Sequence, residues 1–197
     1  IPVSEADRAF AAAQAGGSGP VVVISPCSSQ RLRNYRNWRI GNYSAVVAHL
    51  QEAHGAQVIL SGASSAIEAR YGEALAASAP RPLVNLIGRT SLKQLLALLD
   101  RADLLICPDS GPAHMATAVG TPVVGLYATS NRLRTGPYFS QDLVVDRYPE
   151  AVQREFGVPV AQLRWGQRVR DPGAMDLISP ADVIATVDRA LGHRPRT

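Results

Sequence analysis

Apolar residues fall into two alternating kinds of segment along this chain. Short apolar runs lie in the segments 21–24, which is β-branched throughout, 57–60, which opens with Gln57, 104–107 and 123–127, with a weaker one at 83–86. Unbroken runs of this length are what a strand buried on both faces requires. Between them lie longer segments whose apolar residues recur every three or four positions, as on one side of a helix. Residues 5–15 are an Ala-rich example, closed by Gly16-Gly17-Ser18-Gly19-Pro20, a turn or linker by composition. In 42–53 the spaced residues are Val46, Val47 and Leu50, with Gly55 as a stop. In 91–101, Leu92, Leu95, Leu96 and Leu99 make one stripe. Helices are also expected over 65–79 and 112–119, the latter followed by the turn Gly120-Thr121-Pro122.

Past Tyr127 the pattern loosens. Residues 129–141 read as a long loop carrying Arg132 and Arg134, 143–145 as a last strand and 150–156 as a short helix, while 157–173 shows no pattern. The final helix is well marked: Ser179 as cap, Pro180 in the first position and Asp182 in the third precede Val183, Ile184, Val187 and Leu191. Strands alternating with helices build parallel βαβ units, and right-handed crossovers put helices on both faces. The expected fold is therefore α/β, a Rossmann-like doubly wound parallel sheet. Residues 1–20 are read as a linker and short helix, and 21–197 as one ligand-binding domain.

Composition agrees with a globular domain: 46% of the 197 residues are hydrophobic and 18% charged. The net charge of +4 comes from arginine, since Lys93 is the sole lysine. Arginine is the better fork for phosphate, so the excess fits an anionic ligand, and it fits GC-rich codon usage equally. No basic stripe is interleaved with aromatics, so nucleic-acid binding is not expected. Cys27 and Cys107 make neither a disulfide framework nor a zinc site and are expected as reduced thiols. His49 and His54 are read as surface residues, and no His/Cys cluster or acidic pair suggests a metal; neither metal nor cofactor is expected. With no long apolar run and no signal-peptide pattern, a cytoplasmic protein without a transmembrane segment is expected. The first residue is Ile1 rather than Met, which leaves room for an upstream targeting segment or domain.

In an open parallel sheet, ligands bind beyond the carboxyl ends of strands where the strand order reverses. Two such ends stand out: Ser25-Pro26-Cys27-Ser28-Ser29, and Pro108-Asp109-Ser110-Gly111-Pro112. In the common 3-2-1-4-5 order their strands are neighbours and both loops rim one crevice. Gly111 would let backbone approach a ligand, and the free N–H groups of the helix that follows suit a diphosphate. Asp109 at the rim would accept hydrogen bonds from sugar hydroxyls. Asp109 or Ser110 also fits the ordinary role of a helix cap.

The stretch from Pro108 through Asp109, Ser110, Gly111, Pro112, Ala113 and His114, continued by Gly120-Thr121-Pro122 and Val123 to Tyr127, resembles the signature of glycosyltransferase family 9, the lipopolysaccharide heptosyltransferases. The resemblance extends more weakly from about Val21 to Leu191. It implies a GT-B enzyme of two facing Rossmann-like domains, of which this chain is similar to the C-terminal, donor-binding one. Asp109 would contact the donor sugar, and the amides of Ser110, Gly111 and Ala113 its diphosphate; Pro112 has no N–H to give. His114 matches a family histidine and equally a helix-packing one. Ser28 and Ser29 match the loop after the first strand, and Arg36, before Trp38, a basic residue that meets phosphate. Arg36 and Arg39 stand where the family commonly has Lys and Pro. Glu68 corresponds to an acidic residue on the nucleotide ribose, or is an exposed helix residue. Thr90 would border the base, and Arg132 and Arg134 face the substrate cleft or solvent. The implied reaction is inverting transfer of heptose from ADP-heptose to the lipopolysaccharide inner core, at the inner face of the bacterial inner membrane. The acceptor and the catalytic base would belong to an N-terminal domain that this chain lacks, so this chain by itself is expected to bind donor without turnover. Two other readings stay open: a nucleotide-sugar epimerase on the same scaffold, and a non-catalytic nucleotide-binding module.

Overall fold

The computed structural model describes residues 2–28 and 34–192. Within them, six strands form one parallel sheet in the order β3-β2-β1-β4-β5-β6. These are β1 (Val21–Ile24), β2 (Gln57–Leu60), β3 (Val84–Asn85), β4 (Leu104–Pro108), β5 (Val123–Tyr127) and β6 (Val144–Asp146). The order reverses between β1 and β4, so their carboxyl ends open on a common crevice, as the Rossmann-like expectation requires.

Successive strand residues face opposite layers. Val22, Ile24, Val58, Leu60, Leu104 and Ile106 pack under α2 (Ile40–Ala53), α3 (Ala66–Ser78), α7 (Tyr148–Phe156) and α8 (Pro180–Gly192). Val21, Val23, Ile59, Leu105 and Cys107 pack under α1 (Glu5–Gln14), α4 (Leu92–Arg101) and α5 (Gly111–Val119). Helix α1 lies along α4 and puts Ala11 into this second layer. Each fully buried Leu or Ile contributes about 1.5–3 kcal/mol, which is why strands without polar residues hold the centre.

Three departures from the expected pattern bear on the crevice. Leu92 is not part of the buried stripe of α4: it is 76% exposed, whereas Leu95, Leu96, Leu98 and Leu99 are buried. The periodicity continues one turn beyond the surface that α4 covers. Residues 129–141 hold a short helix, α6 (Arg132–Thr135), rather than only a loop. The Asn131 side chain accepts the Leu133 N–H, and Arg132 donates to Asp146 Oδ2 at 3.1 Å and the Gln141 carbonyl at 2.8 Å. Residues 157–173 follow an irregular path, yet the Tyr148 hydroxyl donates to the Gln167 carbonyl and the Val169 N–H to the Thr129 carbonyl.

The segment leading into α2 is anchored by aromatic residues. The buried Trp38 indole N–H donates to the Ile178 carbonyl at 3.0 Å, and the Trp38 carbonyl accepts from the Tyr71 hydroxyl at 2.7 Å. Tyr43 meets Trp38 edge to face, with centroids 5.0 Å apart, and donates its hydroxyl to the Pro26 carbonyl. These bonds tie the end of β1 to the C-terminal part of the fold.

Candidate functional site

A cavity of about 330 Å³ opens at the carboxyl ends of β1, β2 and β4. Its polar wall includes Ser25, Gly62, Glu68, Thr90, Ser91, Ser110 and Gly111. Its apolar wall includes Leu92, Leu95 and Met115, with Cys27 also at the surface of the cavity. Four expected residues, Glu68, Thr90, Ser110 and Gly111, thus meet in one place although they come from three different strand-to-helix connections. The exposed Leu92 is explained here: it forms part of the cavity wall.

The start of α5 is chemically open. Ser110 occupies the cap position, but its hydroxyl makes no cap bond and instead donates to the Pro108 carbonyl at 3.1 Å. Neither Asp109 nor Ser110 therefore acts as a side-chain cap. Pro112 has no N–H, and the Ala113 amide donates to the Ser110 carbonyl at 3.2 Å. Ala113 is itself fully buried and is not part of the cavity wall, whereas Ser110 and Gly111 line it. Apart from its flanking residues and the helix's own backbone, nothing lies within 4 Å of where a Gly111 Cβ would stand. The fold does not demand glycine there; a ligand approaching the backbone would.

Asp109 was expected at the rim and is instead only 6% exposed. Its Oδ2 accepts from the Ser130 hydroxyl at 2.8 Å, and Arg36 Nη1 lies 3.5 Å from the same oxygen and donates to the Asp109 carbonyl at 2.8 Å. Asp109 and Arg36 thus lock the two strand-end loops together. Ser28 is buried as well: its hydroxyl donates to Asn34 Oδ1 at 2.9 Å and its amide to Asn37 Oδ1 at 3.0 Å, so it shapes the loop rather than the cavity wall. Ser29 lies outside the described residues. His114 is exposed and belongs neither to the core nor to the cavity wall. Arg132 is held by Asp146 and Gln141, and Arg134 lies over Gly166; Arg39 pairs with Asp176 through two hydrogen bonds.

Glu68 is the electrostatic focus. It caps nothing; rather, its own backbone N–H is accepted by Ser65 at the start of α3. The residue is 5% exposed, and its Oε2 has no hydrogen-bond partner among the described residues. Burial raises its pKa above the usual 4.5, with the Ala63 backbone amide partly opposing. Gly62 leaves room for it, since a Cβ there would stand 3.2 Å from Oε2. An acceptor buried beside a cavity without a partner is costly, and such groups mark places where a ligand donor is received. Burial also pushes both Cys27 and Cys107 up to about 12, so both remain protonated, inert thiols at neutral pH.

Sequence reasoning missed Ser130, Asn34 and Asn37, and it missed Leu92, Leu95 and Met115 as cavity walls. The apolar three carry no local signal, because an apolar residue facing a cavity and one facing a core have the same spacing.

A six-stranded parallel sheet whose order reverses between β1 and β4, with helices on both faces, defines a Rossmann-like α/β domain. Residues 1–162 match glycosyltransferase family 9 (heptosyltransferase), and the chain belongs to that family. It is 39% identical over 189 residues to the lipopolysaccharide core heptosyltransferase OpsX of Haemophilus influenzae, an alignment covering 96% of this chain and 53% of that protein. It is 32% identical over 181 residues to lipopolysaccharide heptosyltransferase 3 of Escherichia coli, covering 90% of this chain and 48% of that one. The chain spans about half the length of the curated relatives it matches. Among solved structures, a family 9 glycosyl transferase from Veillonella parvula has a TM-score of 0.76 at 19% identity, covering 98% of this chain and 54% of that one. The E. coli ADP-heptose lps heptosyltransferase II has a TM-score of 0.70 at 22% identity, covering 97% and 53%. Those two likenesses establish the fold.

Proposed function

We propose that this chain is the donor-binding, C-terminal half of an inverting GT-B glycosyltransferase that transfers heptose from ADP-heptose to the lipopolysaccharide inner core. The observation that carries the reading is the unpartnered Glu68 Oε2, buried at a cavity that the open N-terminus of α5 also faces. A carboxylate on a ribose diol and helix amides on a diphosphate are the two ends of one nucleotide diphosphate. The apolar wall of Leu92, Leu95 and Met115 suits the flat base, with Thr90 at its border. Relatives that are named heptosyltransferases support heptose as the sugar.

In this reading the chain orients the donor and stabilises the departing diphosphate through the positive end of α5 and the Arg36 guanidinium, which Asp109 holds at the turn. No cofactor and no metal in the crevice belong to it. The general base and the acceptor site lie in an N-terminal domain outside this chain, and the enzyme works in the cytoplasm, against the inner face of the inner membrane. Among the described residues no helix is long and apolar enough to cross a membrane.

Calorimetric titration with ADP, UDP and GDP tests the reading. ADP is expected to bind, and Glu68→Gln to weaken it by about 1.5–3 kcal/mol, as for a lost hydrogen bond to a charged group. If none of the three nucleotides binds the folded chain, the donor-site reading is wrong; preferential binding of UDP or GDP would replace ADP-heptose by another donor.

A further inference from the structure

A side-chain cluster outside the crevice brings together His49 on α2, His54 at the end of that helix and Asp188 on α8. Residues five apart on a regular helix point about 140° away from each other. His54 is the residue that closes α2, at φ −105° and ψ −7°, and Asp188 stands between it and His49, within reach of both rings. The two imidazoles converge on it: each Nε2 lies 2.7 Å from the same Asp188 Oδ1, with ring centroids 5.4 Å apart and planes at 72°. All three ligand atoms lie within 4.8 Å of one another.

We propose that His49, His54 and Asp188 form a binding site for a divalent transition-metal ion of the zinc class, clipping α8 to α2. Two neutral imidazoles and a carboxylate are a donor set that selects zinc-like ions over magnesium or calcium, which prefer all-oxygen shells. Ligands about 2.0–2.2 Å from a tetrahedral ion stand about 3.3 Å apart, so the pairs now at hydrogen-bond distance need to open by about half an ångström. The Asp188 side chain is exposed and the two imidazoles are only partly buried, so none of the three is fixed in a closed core. A fourth position is left for water. Helix α2 runs back from the carboxyl end of β1 to the start of β2, which places the site at the opposite end of the sheet from the cavity. Its effect is on the docking of α8, and not on the donor.

The test uses the full chain freed of metal with a chelator. Zn²⁺ titration is expected to show one ion per chain, Co²⁺ to develop the intense visible absorption of a low-coordinate site, and the thermal midpoint to rise with Zn²⁺ concentration while Mg²⁺ leaves it unchanged. His49→Gln, His54→Gln and Asp188→Asn should each abolish the Co²⁺ bands, with circular dichroism confirming that the variants fold; His114→Gln should retain them. Absence of Zn²⁺ binding to the unaltered chain overturns the proposal, as does binding that survives the His49→Gln/His54→Gln double substitution. Binding without any rise in thermal midpoint overturns the clip. ADP titration of the same variants, expected to be unchanged, keeps this outcome separate from that of the donor site.

Discussion

Helices α4 and α5 start side by side at one cavity, each from a serine, and the two serines do different things. Ser91 closes the first turn of α4: its Oγ accepts the Gln94 N–H at 3.1 Å, and Gln94 Oε1 accepts the Ser91 N–H at 2.9 Å. Ser110 turns its hydroxyl back to the Pro108 carbonyl and leaves α5 uncapped. A capped helix start has used the donors it would offer an anion; an uncapped one keeps them and its dipole available. The same residue type at the same formal position therefore closes one helix start and leaves the other open. Both serines have extended backbone; Ser110 is buried at a strand end, within reach of the Pro108 carbonyl, whereas Ser91 is exposed after a turn.

The sharpest way to break this contrast is to fill the open start. Gly111→Val adds its Cβ where nothing lies within 4 Å apart from the flanking residues and the helix's own backbone, so the fold should persist. Nucleotide affinity should fall by about 1–3 kcal/mol, the usual cost of crowding an occupied site, as read by ADP calorimetry. Unchanged ADP binding would show that α5 does not face the ligand. Next in size is the cap itself. Ser91→Ala should cost about 1 kcal/mol of stability in urea unfolding. Ser110→Ala should show no loss from capping, only that of one hydrogen bond to the Pro108 carbonyl, about 0.5–1.5 kcal/mol. Equal ADP affinity in Ser91→Ala and the unaltered chain would complete the separation.

The smallest expected effect is a pH dependence. Glu68 has a raised pKa because burial penalises its charged form, so the folded chain holds this proton more tightly than the unfolded one. Its contribution to stability is fully present below the usual 4.5 and is lost as pH rises through the folded-state value. Urea midpoints measured from about pH 4 to pH 7 should show that slope, and Glu68→Gln should lack it. Saturating ADP should flatten it, because ribose hydroxyls would satisfy the charged carboxylate.

Much of the frame was legible before any coordinates. The strands at 21–24 and 57–60 occupy the expected positions, because their buried residues are all apolar, Gln57 being only the half-buried first residue of its strand. The capped start of α8 follows from Ser179 with Asp182 three residues on, whereas the Ser91–Gln94 capping box of α4 was seen only in the structure. Leu92 defeated the periodicity because spacing does not say how far a neighbouring surface extends. Asp109, legible as a crevice residue, became a buried partner of Ser130 and Arg36, contacts made across 21 and 73 positions of chain. His49 and His54, read as separate surface residues, were joined by Asp188 from a helix more than 130 positions away.

Local patterning by itself determined the alternation of strands and helices, the layers they form and the place in the fold where a ligand would bind. Those properties depend on side-chain period and on turn residues, which act over a few positions. Only the tertiary structure decided which serine caps and which leaves a helix open, and that a glutamate on α3 is buried without a partner. Both facts depend on what distant segments bring to the same few ångströms.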